Sequence, residues 1–101
     1  MSAGAILEFN DNESQPSARV ALANGDHLYI GLDSGGLTIE KDGTVLFKTD
    51  PDTVSKICAG LDSSTATKTP LRILVGVILH LSSAEKVCEA FNQAADDLAQ
   101  T

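Results

Sequence analysis

The chain has 101 residues, of which 43% are apolar, and its 14 acids against 7 lysines and arginines give a net charge of −7. That length suits one domain, 1–101, with a modest core, and that apolar fraction is too high for a disordered chain. The negative balance argues against direct binding of nucleic acid, whose affinity rests on neutralising phosphates, and against adsorption to an anionic membrane surface.

Only Phe9, Tyr29, Phe47 and Phe91 are aromatic, so the core must be aliphatic. Cys58 and Cys88 fall on apolar stripes of predicted helices and read as reduced core residues, with one disulfide as the alternative. The N-terminus has no basic region followed by an apolar run, as a secretory signal would, so a cytoplasmic location is expected.

In chain order, residues 5–50 form the sheet part. "AILEF", Ala5 to Phe9, reads as a strand. The polar, proline-bearing residues 10–17 read as an exposed loop that either carries this strand to a distant sheet edge or leaves it as a loose arm. From Ala18 to Thr49 apolar residues alternate with others, broken by turn signals at Asn24-Gly25, Ser34-Gly35-Gly36 and Asp42-Gly43. This predicts a four-stranded antiparallel meander. The expected register sets Leu22 opposite Leu28, Val20 opposite Ile30, Leu32 opposite Leu37, Ile30 opposite Ile39 and Ile39 opposite Leu46. One face then carries Val20, Leu22, Leu28, Ile30, Leu32, Leu37, Ile39 and Leu46. The other carries Arg19, Ala21, Tyr29, Gly31, Thr38, Glu40, Val45 and Phe47. Tyr29, Val45 and Phe47 there suggest an apolar patch awaiting cover from "AILEF", a helix or a second subunit.

Residues 51–101 form the helical part. Asp50 caps the first helix, Pro51 takes its first position, and Val54, Ile57, Cys58 and Leu61 make its stripe. The polar run 62–68 reads as a loop. "TPLRILVGVILHL" follows, Thr69 to Leu81. It is too short to span a bilayer, which needs about 20 apolar residues. Arg72, Gly76 and His80 are four apart, so a helix gathers them on one line and leaves the other sides apolar. A helix is therefore favoured over a strand, with Gly76 marking a close crossing. Ser82 and Glu85 have capping-box spacing and open a last helix whose face is Val87, Cys88, Phe91, Ala94, Ala95 and Leu98. The tight link implies that the last two helices form a hairpin.

Motifs for chemistry are sparse. His27, Cys58, His80 and Cys88 lack the short spacing of a metal site. Ser34 in "DSGG" and the Asp26-His27 pair read as turn residues. "GLDSGG" lacks the lysine and the strand-to-helix context of a phosphate loop. No cofactor is implied.

The expected architecture is α+β: a four- to five-stranded antiparallel meander followed by three helices on one face. A helix apolar on most sides needs more cover than a small chain supplies, and leaving three aliphatic side chains exposed forgoes roughly 4–9 kcal/mol. The favoured function is therefore that of a small, acidic, non-enzymatic interaction protein, acting as a homodimer and with a heterologous protein partner as a further option. Candidate partner-binding residues are Arg72, Gly76, His80, Tyr29 and Phe47, with Arg72 anchoring an acid of a partner subunit or a small anion. One alternative is a small-molecule or anion binder, or an enzyme, with a cleft near Arg72, His80 and Tyr29. The other is an acidic nucleic-acid mimic, which requires Glu8, Asp11, Glu13, Glu40, Asp42, Asp96 and Asp97 to form one face.

Overall fold

Alternating strands with short turns fold into a five-stranded antiparallel sheet in the order β1-β2-β3-β4-β5. The strands are β1 (Ala5–Asn10), β2 (Ser17–Ala21), β3 (His27–Asp33), β4 (Gly36–Lys41) and β5 (Thr44–Thr49). Three helices follow: α1 (Pro51–Leu61), α2 (Pro70–Ile78) and α3 (Ala84–Ala99). The structure is a computed structural model and describes residues 4–11, 14–61 and 69–100. The loop expected at 62–68 and the side chain of Leu61 lie outside the described residues, as does Glu13.

β1 is neither a distant strand nor a loose arm. It pairs directly with β2, setting Ile6 opposite Val20 and Phe9 opposite Ala18. The β3–β4 register is the expected one, with Leu32 opposite Leu37 and Ile30 opposite Ile39. The β2–β3 register differs by two residues: Val20 faces Leu28 and Ala18 faces Ile30. The turn keeps three residues but begins one position earlier, at Ala23, because Leu22 N–H donates to the Asp26 carbonyl, while the Asp26 N–H donates to Asn24 Oδ1. A shift of two keeps every side chain on its face, since side chains alternate with period two.

A larger correction falls on β5. Asp42 (φ +52°) and Gly43 (φ +82°) make the expected two-residue turn. A bulge then follows, so that Glu40 faces Val45 but Ile39 faces Phe47. An extra residue on one strand reverses the facing beyond it. Phe47, expected on the outer face, is therefore buried under the helices and meets Phe91 edge-on at 5.5 Å. Leu46, expected in the core, is half-buried.

All three helices lie on the face carrying Ala18, Val20, Leu28, Ile30, Leu37, Ile39 and Phe47. Asp50 begins α1: its carboxylate accepts from Thr53, which holds it below the usual carboxylate range. Thr69 caps α2 by accepting from the Arg72 N–H, with Pro70 behind it. α2 packs over β2, α1 over β4 and α3 over β5, and α1 touches both other helices. The expected α2–α3 hairpin is absent because the connection is tied to the end of the sheet. Gly4 N–H donates to the Leu79 carbonyl, Asn24 N–H to the Ser82 carbonyl and Ala84 N–H to the Asp26 carboxylate. This fastening shifts the α3 cap one residue along: Ser83, not Ser82, accepts from the Lys86 N–H.

The helical reading of the apolar run holds as far as Ile78, with Leu79 to Leu81 in the turn beyond, and a single chain covers the helix. Leu71, Ile73, Leu74, Val75 and Ile78 are each 4% exposed or less. Val77, Leu79 and Leu81 are half-buried. With β2 beneath and α1 alongside, little apolar surface of α2 is left over, so this helix gives no reason to dimerise.

Candidate functional site

Burying one face of the sheet leaves the other bare. Its outward residues come from the same alternation that builds the core. Arg19 faces Tyr29, Tyr29 faces Glu40, and Glu40 faces Val45 across β2 to β5. At the β1 edge, a bulge between Ile6 and Glu8 adds Leu7 to this side. Among the described residues, the large exposed hydrophobics are Ile6, Leu7, Tyr29 and Val45. Tyr29 and Val45 stand in this row, at 38% and 51% exposure, while Leu7, at 55%, is the extra residue of the bulge beside Glu8, the β1 residue that faces Arg19.

Tyr29 organises the face. Its ring lies along the sheet over Gly31, where a Cβ would come 3.1 Å from Tyr29 Cε2. The missing side chain is what lets the ring lie down. The Arg19 guanidinium sits 6.0 Å from the ring centroid, at the outer limit of a cation–π contact. Tyr29 and Glu40 line two open troughs, of about 720 and 290 Å³. The larger is completed by Leu7, Arg19, His27 and Asp42. These troughs are open surface depressions, so a small ligand would remain largely in water, unlike one in an enclosing pocket. No group of three or more potential metal ligands occurs among the described residues.

The expected residues do not assemble into one place. Tyr29 is on the bare face. Arg72, Gly76 and His80 belong to the helical layer on the opposite side, so no cleft joins Arg72 and His80 to Tyr29. All three are exposed, as the four-residue spacing implies, although His80 lies in the turn beyond α2. Arg72 has its acid within its own chain: Asp11 lies 4.0 Å from its Nε, and the guanidinium sits 5.1 Å over the Phe9 ring. Gly76 marks no helix crossing, since a Cβ there would meet nothing within 4 Å. Phe47 is core.

The acids do not form one face either. Glu8, Glu40 and Asp42 are on the bare side or its rim, Asp11 is beside Arg72, and Asp96 and Asp97 ride on α3. This scatter removes the basis for a nucleic-acid mimic. Leu7 is the residue the sequence reading missed. The adjacent pair Ile6-Leu7 breaks strict alternation, and that break was its available signal.

Comparison with protein-family models, with curated proteins and with solved structures finds no match. Among the described residues, no helix is long and apolar enough to cross a membrane.

Proposed function

We propose that this chain is a non-enzymatic interaction protein that docks another protein surface on the helix-free face of its sheet, in the first instance to form a homodimer. One observation carries the reading: Leu7, Tyr29 and Val45 stand exposed together on a face that no helix covers. Exposed apolar side chains interspersed with Arg19 and Glu40 on one uncovered face support a docking surface of mixed polarity. The open troughs favour a large surface over a small ligand as occupant.

The test is light scattering coupled to size-exclusion chromatography over a concentration series, with and without cell extract. The expected result is a mass above that of one chain, lost in a Tyr29→Glu, Val45→Glu double variant whose circular dichroism is unchanged. A chain that stays monomeric and elutes identically in extract, with or without those substitutions, overturns the reading.

A further inference from the structure

We infer that Asn24 is a deamidation site, restrained in the folded chain by the bonds that fasten α3 to the sheet and unable to remake those bonds once it has reacted. This is independent of the docking face proposed above.

Of the four asparagines, only Asn24 precedes a glycine. Glycine has no Cβ, so its backbone nitrogen approaches the preceding side chain with the least obstruction. Asn24 and Gly25 are both exposed, so water, the one reagent needed, reaches them. In the reaction Gly25 N loses its proton and attacks Asn24 Cγ. The Cγ–Nδ2 bond breaks and ammonia leaves, which closes a cyclic imide. Water then opens the imide. Opening at Cγ gives aspartate, and opening at the main-chain carbonyl gives isoaspartate, whose chain runs through Cβ. The net change is a water taken up and an ammonia released.

The native turn polarises this side chain and withholds its attacker. Asn24 Oδ1 accepts from the Asp26 N–H at 2.9 Å, a donor aimed at the oxygen on which charge develops during attack. However, Gly25 N–H donates to the Leu22 carbonyl at 2.9 Å, and Asn24 Nδ2 donates to Asp26 Oδ2 at 2.9 Å. Attack requires the first of these bonds to break, and departure of ammonia requires the second to break. The reaction therefore waits for local opening of the turn.

That opening is governed from a distant part of the chain. Asp26 Oδ2 also accepts from the Ala84 N–H at the start of α3, and Asn24 N–H donates to the Ser82 carbonyl just before it. With α3 in place, the turn is held shut. The products act in the reverse direction. Aspartate at position 24 lacks the N–H that Asp26 accepts and sets a second carboxylate beside it, and like charges repel. Isoaspartate also adds a main-chain atom between the two amides that bond Leu22 and Ser82. Either product loosens the start of α3, and loss of ammonia makes the change one-way.

Peptide mapping by mass spectrometry tests this, on the chain held folded and in urea at mildly alkaline pH. Conversion at Asn24 should be at least about tenfold faster in urea, where no turn restrains it. Asp26→Ala, its folding checked by circular dichroism, should convert several-fold faster than the parent without denaturant. Asn24→Asp, which reproduces one product, should lower the melting temperature. That loss should largely vanish in an Asp26→Asn background, where the second charge is gone. Conversion in urea no faster at Asn24 than at the other asparagines overturns the site. Equal rates folded and in urea, or an Asp26→Ala chain no faster than the parent, overturn the restraint. An Asn24→Asp chain that melts with the parent, or that loses as much in both backgrounds, overturns the effect on α3.

Discussion

The carboxylate of Asp26 accepts a hydrogen bond from the backbone N–H of Ala84 at 2.9 Å, joining the β2–β3 turn to the first residue of α3 across 58 positions of chain. The same carboxylate accepts from Asn24 Nδ2 at 2.9 Å and lies 3.3 Å from Lys41 Nζ. It thus supplies an acceptor and a negative charge at the positive end of a helix. These bonds, the Ala84 amide first, lower its pKa from 3.8 to about 2.

A depressed pKa has a definite consequence for stability. The unfolded chain binds this proton more tightly than the folded one, so the contribution is complete above about pH 4 and is lost as the pH falls towards 2. Thermal melts between pH 2 and 6 should show that loss. Asp26→Ala should lower the melting temperature at pH 6 and flatten the decline below pH 4. Asp26→Asn, which keeps an acceptor but not the charge, should fall between. Equal pH profiles in the variant and the parent would show that the contact does not couple to folding.

Phe47 and Leu46 distinguish the bulged strand from a straight one. Truncating a buried phenylalanine costs about 3–5 kcal/mol, so Phe47→Ala should bring urea unfolding to much lower concentration. Leu46 is half-buried, and Leu46→Ala should cost about 1–2 kcal/mol. The reverse order of severity would restore the register in which Leu46 faces the core.

Two glycines should respond to alanine with opposite signs. Gly36 has φ +116°, and a Cβ there would overlap the Thr49 carbonyl. Gly36→Ala should therefore destabilise by more than about 1 kcal/mol. Gly76 sits on the exposed side of α2 with open space where its Cβ would be, so Gly76→Ala should stabilise by about 0.5–1 kcal/mol. Chemical denaturation of both variants checks the pair. A loss of stability at position 76 would mean that something packs against that line after all.

Thiol labelling should separate the cysteines. Cys58 is 3% exposed, and burial raises its thiol pKa. Cys88 is half-buried, with its thiol donating to the Leu46 carbonyl at 3.4 Å. In the native protein Cys88 should react with a thiol reagent well before Cys58, and in denaturant the two should react alike. Equal native rates would contradict the burial of Cys58.

Local chemistry made much of this molecule readable in advance. Alternation from Ala18 to Thr49 marks strands because successive side chains point to opposite faces. Asp50-Pro51 and Thr69-Pro70 mark helix starts because a capping oxygen and a residue without N–H suit the first turn. The line Arg72, Gly76, His80 is solvent-facing because four residues make about one turn. Tyr29 and Val45 were likewise placed on the outer face by parity alone.

What the sequence determined by itself is this: strands, helices, their order and the single face on which the helices pack, because each depends on residues a few positions apart. The tertiary structure alone decided the two bulges, the insertion of α1 between α2 and α3, and the location of the uncovered apolar surface. The β5 bulge is settled by which side chain, Phe47 or Leu46, packs better against a helix more than forty residues away. Exposed surface is what remains after all elements have covered one another, and no stretch of chain carries that difference in its own residues. That is why α2, the most apolar segment, is enclosed, and why the exposed apolar side chains Leu7, Tyr29 and Val45 are on the sheet.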